Sequence, residues 1–128
     1  MNATVVMIIL TMLPNGDISS SFVNIDTQEE CIERLERIRP ILESSESTET
    51  REAGCFRSAA EFTYFDHDPP KDAQRHDLLV SLDGEQASVS RQQNAEDCRQ
   101  ALERLPPPEA GQRHYCTTST QDMTESGE

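Results

Sequence analysis

Four cysteines in 128 residues, two in each half of the chain, narrow the folds open to this sequence more than any other feature. Cys31 and Cys98 each follow a helix-start signal by four residues. Thr27 precedes Glu30 at the spacing of a capping box, and Asn94 precedes Asp97 in an acidic first turn. Cys31, Leu35, Ile38 and Leu42 recur at spacings of four, three and four, which predicts a single apolar helical stripe. Cys98, Ala101, Leu102 and Leu105 form a second such stripe. A cysteine on the packed face of a helix points at the strand beneath it, within reach of ordinary disulfide geometry. Cys55 and Cys116 lie in strand-like segments downstream of their respective helices, so the expected pairs are Cys31–Cys55 and Cys98–Cys116. The other two connectivities would tie one half to the other. Loops of this length, once closed, stabilise by about 3 kcal/mol each through the entropy of the unfolded chain.

The segments around these helices repeat in order. Residues 4–13 are mostly apolar and meet Asn15-Gly16, a strong hairpin signal, after which 18–25 reads as the returning strand with Phe22, Val23 and Ile25. Pro40 is expected to end or kink the first helix. Residues 43–52 are rich in Ser, Thr and Glu without periodicity and read as a loop. Strand character returns at Gly54-Cys55-Phe56 and Phe62-Thr63-Tyr64.

In the second half Leu78, Val80 and Leu82 alternate, Asp83-Gly84 marks a turn, and Ala87 and Val89 mark the return strand. Pro106-Pro107-Pro108 stops the second helix, and Cys116 sits in a last short strand with His114 and Tyr115. The predicted fold class is therefore α+β: two degenerate β-hairpin–helix–strand (ββαβ) repeats, 4–65 and 77–117, joined by a linker at 66–76. Together they should form a single domain over 1–117, a mostly antiparallel sheet of about six strands with two helices on one face. Residues 118–128 read as a disordered acidic tail.

Composition sets the functional range. Apolar residues make up 34% of the chain and the formal net charge is -13, a balance that calls for covalent support if the chain is to fold. That charge argues against nucleic acid and against an anionic membrane surface, and suits a basic protein partner. The apolar run at 5–13 is too short to insert stably in a bilayer, lacks a preceding Lys or Arg, and is followed by no small-residue cleavage site. It reads as a buried strand of an exported (periplasmic or extracellular) chain whose leader is not part of the sequence, with a signal-peptide remnant as the competing reading. A cytoplasmic protein with four free thiols is the alternative to export.

Candidate chemistry is sparse. His67 and Asp68, with His76 nearby, are candidate metal ligands, although an exposed Pro-containing linker accounts for them equally well. No Cys-x-x-Cys, nucleophile elbow or glycine-rich phosphate loop occurs, so neither a catalytic residue nor a cofactor is expected. Candidate partner-binding residues are Glu46 and Glu49 in the acidic loop, and Tyr64 and Phe65 before the linker. The leading expectation is a small, disulfide-stapled, non-enzymatic protein-binding module, an accessory subunit or inhibitor. Two others stand beside it: an acidic neutraliser of a basic partner, such as an immunity protein or nucleic-acid mimic, and a small metal-dependent hydrolase using His67, His76 or His114.

Overall fold

The computed structural model describes residues 4–13, 16–44, 49–58, 62 and 75–121. Their elements run β1 (Thr4–Met12), β2 (Ile18–Ile25), α1 (Gln28–Glu43), β3 (Glu49–Ser58), β4 (His76–Asp83), β5 (Gln86–Gln92), α2 (Ala95–Arg104) and β6 (Gln112–Ser119). The class is mixed α+β with six strands and two helices.

β1 lies between β2 and β3, and β4 lies between β5 and β6, all paired antiparallel. These two three-stranded pieces do not lie side by side as one open sheet. They close into a barrel in the order β1-β2-β6-β4-β5-β3. Closure rests on two parallel joints of one pairing each, Ser19 with Thr118 and Arg57 with Gln86. The helices accordingly pack on the outer wall, α1 against β1, β2 and β3, and α2 against β4, β5 and β6. The expected open sheet with a helical face is thus replaced by a barrel with an inside and an outside.

Alternation along the central strands decides which side chains go where. Val6, Ile8 and Leu10 of β1 and Leu78, Val80 and Leu82 of β4 all point inward and are fully buried, with Phe22 and Phe56 filling the space between them. The inward position between Phe56 and Glu52 is Gly54, and a Cβ there would stand 3.0 Å from the Phe56 ring. Phe62 stacks on Phe22 with ring centroids 4.0 Å apart, and its backbone N–H donates to Asn24 Oδ1. Outward residues meet the helix above them: Met7 of β1 and Ile25 of β2 pack with Cys31 and Leu35 beneath α1.

Both helix starts form as the capping signals imply. Glu30 N–H donates to Thr27 Oγ1 (3.1 Å) and Asp97 N–H donates to Asn94 Oδ1 (2.8 Å). Pro40, by contrast, does not end α1, which continues to Glu43. Proline forfeits its own N–H but keeps its carbonyl, and that carbonyl accepts from Ser44 N–H at 3.0 Å to complete a last turn. β3 also begins earlier than the polar composition suggests: Glu49 and Thr50 pair with Met12 and Thr11, and Arg51 is the extra residue of a bulge before Glu52 meets Leu10. At the other end the chain stays ordered past residue 118, where the tail was expected to start. β6 runs to Ser119 and Gln121 is buried.

The β2–β6 joint is reinforced by side chains where backbone pairing stops. Gln121 Oε1 accepts from Phe22 N–H (2.8 Å), and Gln121 Nε2 donates to the Phe22 carbonyl (2.7 Å). Arg75 donates to Ser19 Oγ and to both the hydroxyl and the carbonyl of Thr118. Thr117 and Ser20 bring buried hydroxyls within 2.8 Å of each other.

Two disulfides tie helices to wall: Cys31 to Cys55, with Cα atoms 6.1 Å apart, and Cys98 to Cys116, at 5.9 Å. They are the pairs expected from the helical stripes.

The stacked, fully enclosed Phe22 makes a clear stability test. Phe22→Ala should cost about 3–5 kcal/mol in denaturant unfolding, because it empties the barrel beside Phe62. Ile41→Ser, at a residue 68% exposed, should change stability by less than about 0.5 kcal/mol.

Candidate functional site

Sequence candidates fall in three places. His67, Asp68, Glu46, Tyr64 and Phe65 lie outside the described residues. Glu49 opens β3 as an exposed residue opposite Met12. His76 is the first residue of β4, opposite Ser119. Among the described residues no group of three His, Cys, Asp or Glu side chains is placed to hold a metal ion, and no helix is long and apolar enough to cross a membrane.

The structure instead brings together residues that the sequence did not connect. Glu52, Arg113 and Tyr115 occupy inward positions on β3 and β6, strands on opposite sides of the barrel. Arg113 grips the Glu52 carboxylate through Nε (2.9 Å) and Nη2 (3.3 Å), while Tyr115 Oη donates to Glu52 Oε2 at 2.7 Å. A third Arg113 hydrogen bond goes to the Gly111 carbonyl. Hydrogen bonding to Glu52 holds the Arg113 guanidinium above its ordinary pKa against the opposing effect of burial. Burial raises the Tyr115 phenol, and donation to the Glu52 carboxylate raises it further. With three donors on it, Glu52 is a cross-barrel tie rather than a base available to a substrate. Reading residues 43–52 as a polar loop hid this role; the signal lay in Glu52, Gly54 and Phe56 sharing one strand face.

The outer wall of β4, β5 and β6 offers a different arrangement. Register places Ser88, Ser81 and His114 in one outward cross-strand row, and Gln86, Asp83 and Gln112 in the next. His114 Nδ1 lies 2.9 Å from Ser81 Oγ. The two rows line an open groove of about 330 Å³. Hydroxyl, amide and imidazole groups on a surface of this kind offer both donors and acceptors to an approaching molecule. A further row, Ser90, Leu79 and Cys116, continues toward α2, where Cys116 is bonded to Cys98.

A second groove, also about 330 Å³, lies between α2, β6 and the β1–β2 turn. It is lined by Ile18, Asp17, Ala95, Leu102 and the Cys98–Cys116 pair among others.

Comparison with protein-family models, with curated proteins and with solved structures returned no match.

The Glu52 tie can be tested by its pH signature. Below pH of about 10 the phenol is protonated in folded and unfolded chains alike; above it the unfolded chain releases its proton first, so stability falls as pH rises through the raised folded value. In a Tyr64→Phe background, ultraviolet titration should show the remaining phenol ionising above the ordinary tyrosine value. Tyr115→Phe should remove that alkaline loss of stability and cost about 1–2 kcal/mol at neutral pH.

Proposed function

We propose that this protein is a non-enzymatic protein-binding module of an oxidising, exported compartment, acting as an accessory subunit or inhibitor. The observation that carries the reading is the outward pair of rows Ser88–Ser81–His114 and Gln86–Asp83–Gln112, mounted on a doubly stapled barrel. The described barrel interior is occupied by Val, Ile, Leu and Phe side chains and crossed by the Glu52 tie, so recognition falls to the outer wall. Side chains mounted on paired strands, with Ser81 and Asp83 flanked on both sides, lose little freedom when a partner docks, which favours binding. Two disulfides suit an oxidising compartment, where such bonds persist. The halves β1–β3 and β4–β6, each ordered strand, strand, helix, strand with one helix-to-wall disulfide, are best understood as degenerate copies of one unit.

Affinity capture with the oxidised full chain, followed by titration of the purified partner, tests this reading. A single protein partner should bind at one defined stoichiometry, and Ser88→Arg should weaken it at least tenfold, about 1.4 kcal/mol, by placing a long cation in the row. Equal affinity for Ser88→Arg would remove this face from the interface, and capture of no partner would overturn the reading.

A further inference from the structure

The two disulfides occupy different surroundings. Cys31 is fully buried in the apolar cluster under α1 with Met7, Ile25 and Leu35, and Cys55 packs against that cluster partly covered, alongside Ile9, Val23 and Ile38. α1 therefore has an apolar contact with the wall that does not depend on its sulfur bridge. α2 is shorter, 10 residues against 16, and Cys98 is its one buried residue. Leu102, Ala101 and Leu105 are only partly covered. Both Cys98 and Cys116 line the open groove beside α2, and Cys116 is the less buried of the two. The bond that contributes most to holding its helix also lines an open groove.

We propose that Cys98–Cys116 is a thiol–disulfide exchange site, opened by a dithiol reductant entering this groove while Cys31–Cys55 stays closed, and that its opening releases α2 from the barrel wall. Exchange needs a thiolate to approach one sulfur, so access selects which bond reacts. An external thiolate attacks Cys116 Sγ, forming a mixed disulfide and expelling Cys98 as a thiolate that keeps the electron pair of the broken bond. The second thiol of the reductant then attacks its own bridged sulfur and frees Cys116. The dithiol leaves as a disulfide, two electrons have passed to the protein, and the two thiol protons of the reductant balance the two new cysteine thiols. Without its bridge, α2 keeps the partly covered Ala101 and Leu102, and its release would widen the groove. This inference goes beyond the proposed binding role and does not rest on it, because its readout needs no partner.

The experiment equilibrates the oxidised full chain with graded dithiothreitol, alkylates free thiols and maps the labelled peptides by mass spectrometry. Cys98 and Cys116 should be labelled at a dithiol concentration at least about tenfold lower than Cys31 and Cys55. Ala95→Trp, which narrows the groove from an exposed position at the start of α2, should slow that labelling at least about fivefold while leaving denaturant unfolding of the oxidised chain unchanged. Amide hydrogen exchange of a Cys98→Ser/Cys116→Ser variant should show residues 95–104 exchanging far faster than in the oxidised chain, with residues 28–43 still protected. Simultaneous labelling of all four cysteines, earlier labelling of Cys31 and Cys55, unchanged kinetics in Ala95→Trp, or full protection of 95–104 in the serine variant would each overturn the proposal.

Discussion

Val6, Ile8 and Leu10 on one strand face Leu78, Val80 and Leu82 on another, and the rest of the molecule follows from keeping those six side chains dry. At about 1.5–3 kcal/mol for each fully buried aliphatic side chain, this contact is the largest apolar resource of an apolar-poor chain. β1 and β4 are each the middle strand of a three-stranded piece, so bringing their inner faces together wraps the flanking strands toward one another. Closure at the β2–β6 and β3–β5 joints is then a consequence of the core, and two single-pairing joints suffice because they do not carry the fold alone. The outward residue Met7 becomes part of the seat for α1, and the disulfides fasten both helices to the wall.

Much of this was legible in the sequence because it is local. The Thr27 and Asn94 caps, the Leu78–Val80–Leu82 alternation and the placement of Cys31 and Cys98 on helical stripes are patterns of a few residues, and each forms in the structure as its chemistry dictates. Closure was not legible, since nothing near Arg57 announces Gln86 and nothing near Ser19 announces Thr118. The Glu52 tie was hidden for the same reason: its partners lie more than sixty residues away in sequence. Pro40 does not end its helix, because proline acts through its ring and missing N–H on the preceding turn, and here a single further turn is completed through its carbonyl. The candidate surface on β4–β6 shows a related gap. Ser81, Ser88 and His114 are unremarkable as sequence neighbours, and only cross-strand register aligns them.

The polar interior contact and the polar outer rows are built from similar residues and do opposite things. Inside, Glu52 accepts three hydrogen bonds from Arg113 and Tyr115, which fixes the distance between opposite walls of the barrel. Outside, the Ser81 and His114 pair shares a single contact, and both side chains keep capacity for further hydrogen bonds. Satisfaction of polar groups, more than their identity, separates the part of this molecule that holds shape from the part suited to recognition.

Gln121 carries a consequence for how the molecule keeps to itself. Its side-chain amide meets the N–H and C=O of Phe22 together, as a peptide group of a neighbouring strand would. The seam between β2 and β6 has only one backbone pairing, so just beyond it the flank of β2 would otherwise offer a foreign strand a place to add. One glutamine acts there as a counterfeit rung of the ladder, occupying the hydrogen-bonding groups from which intermolecular sheet growth would begin.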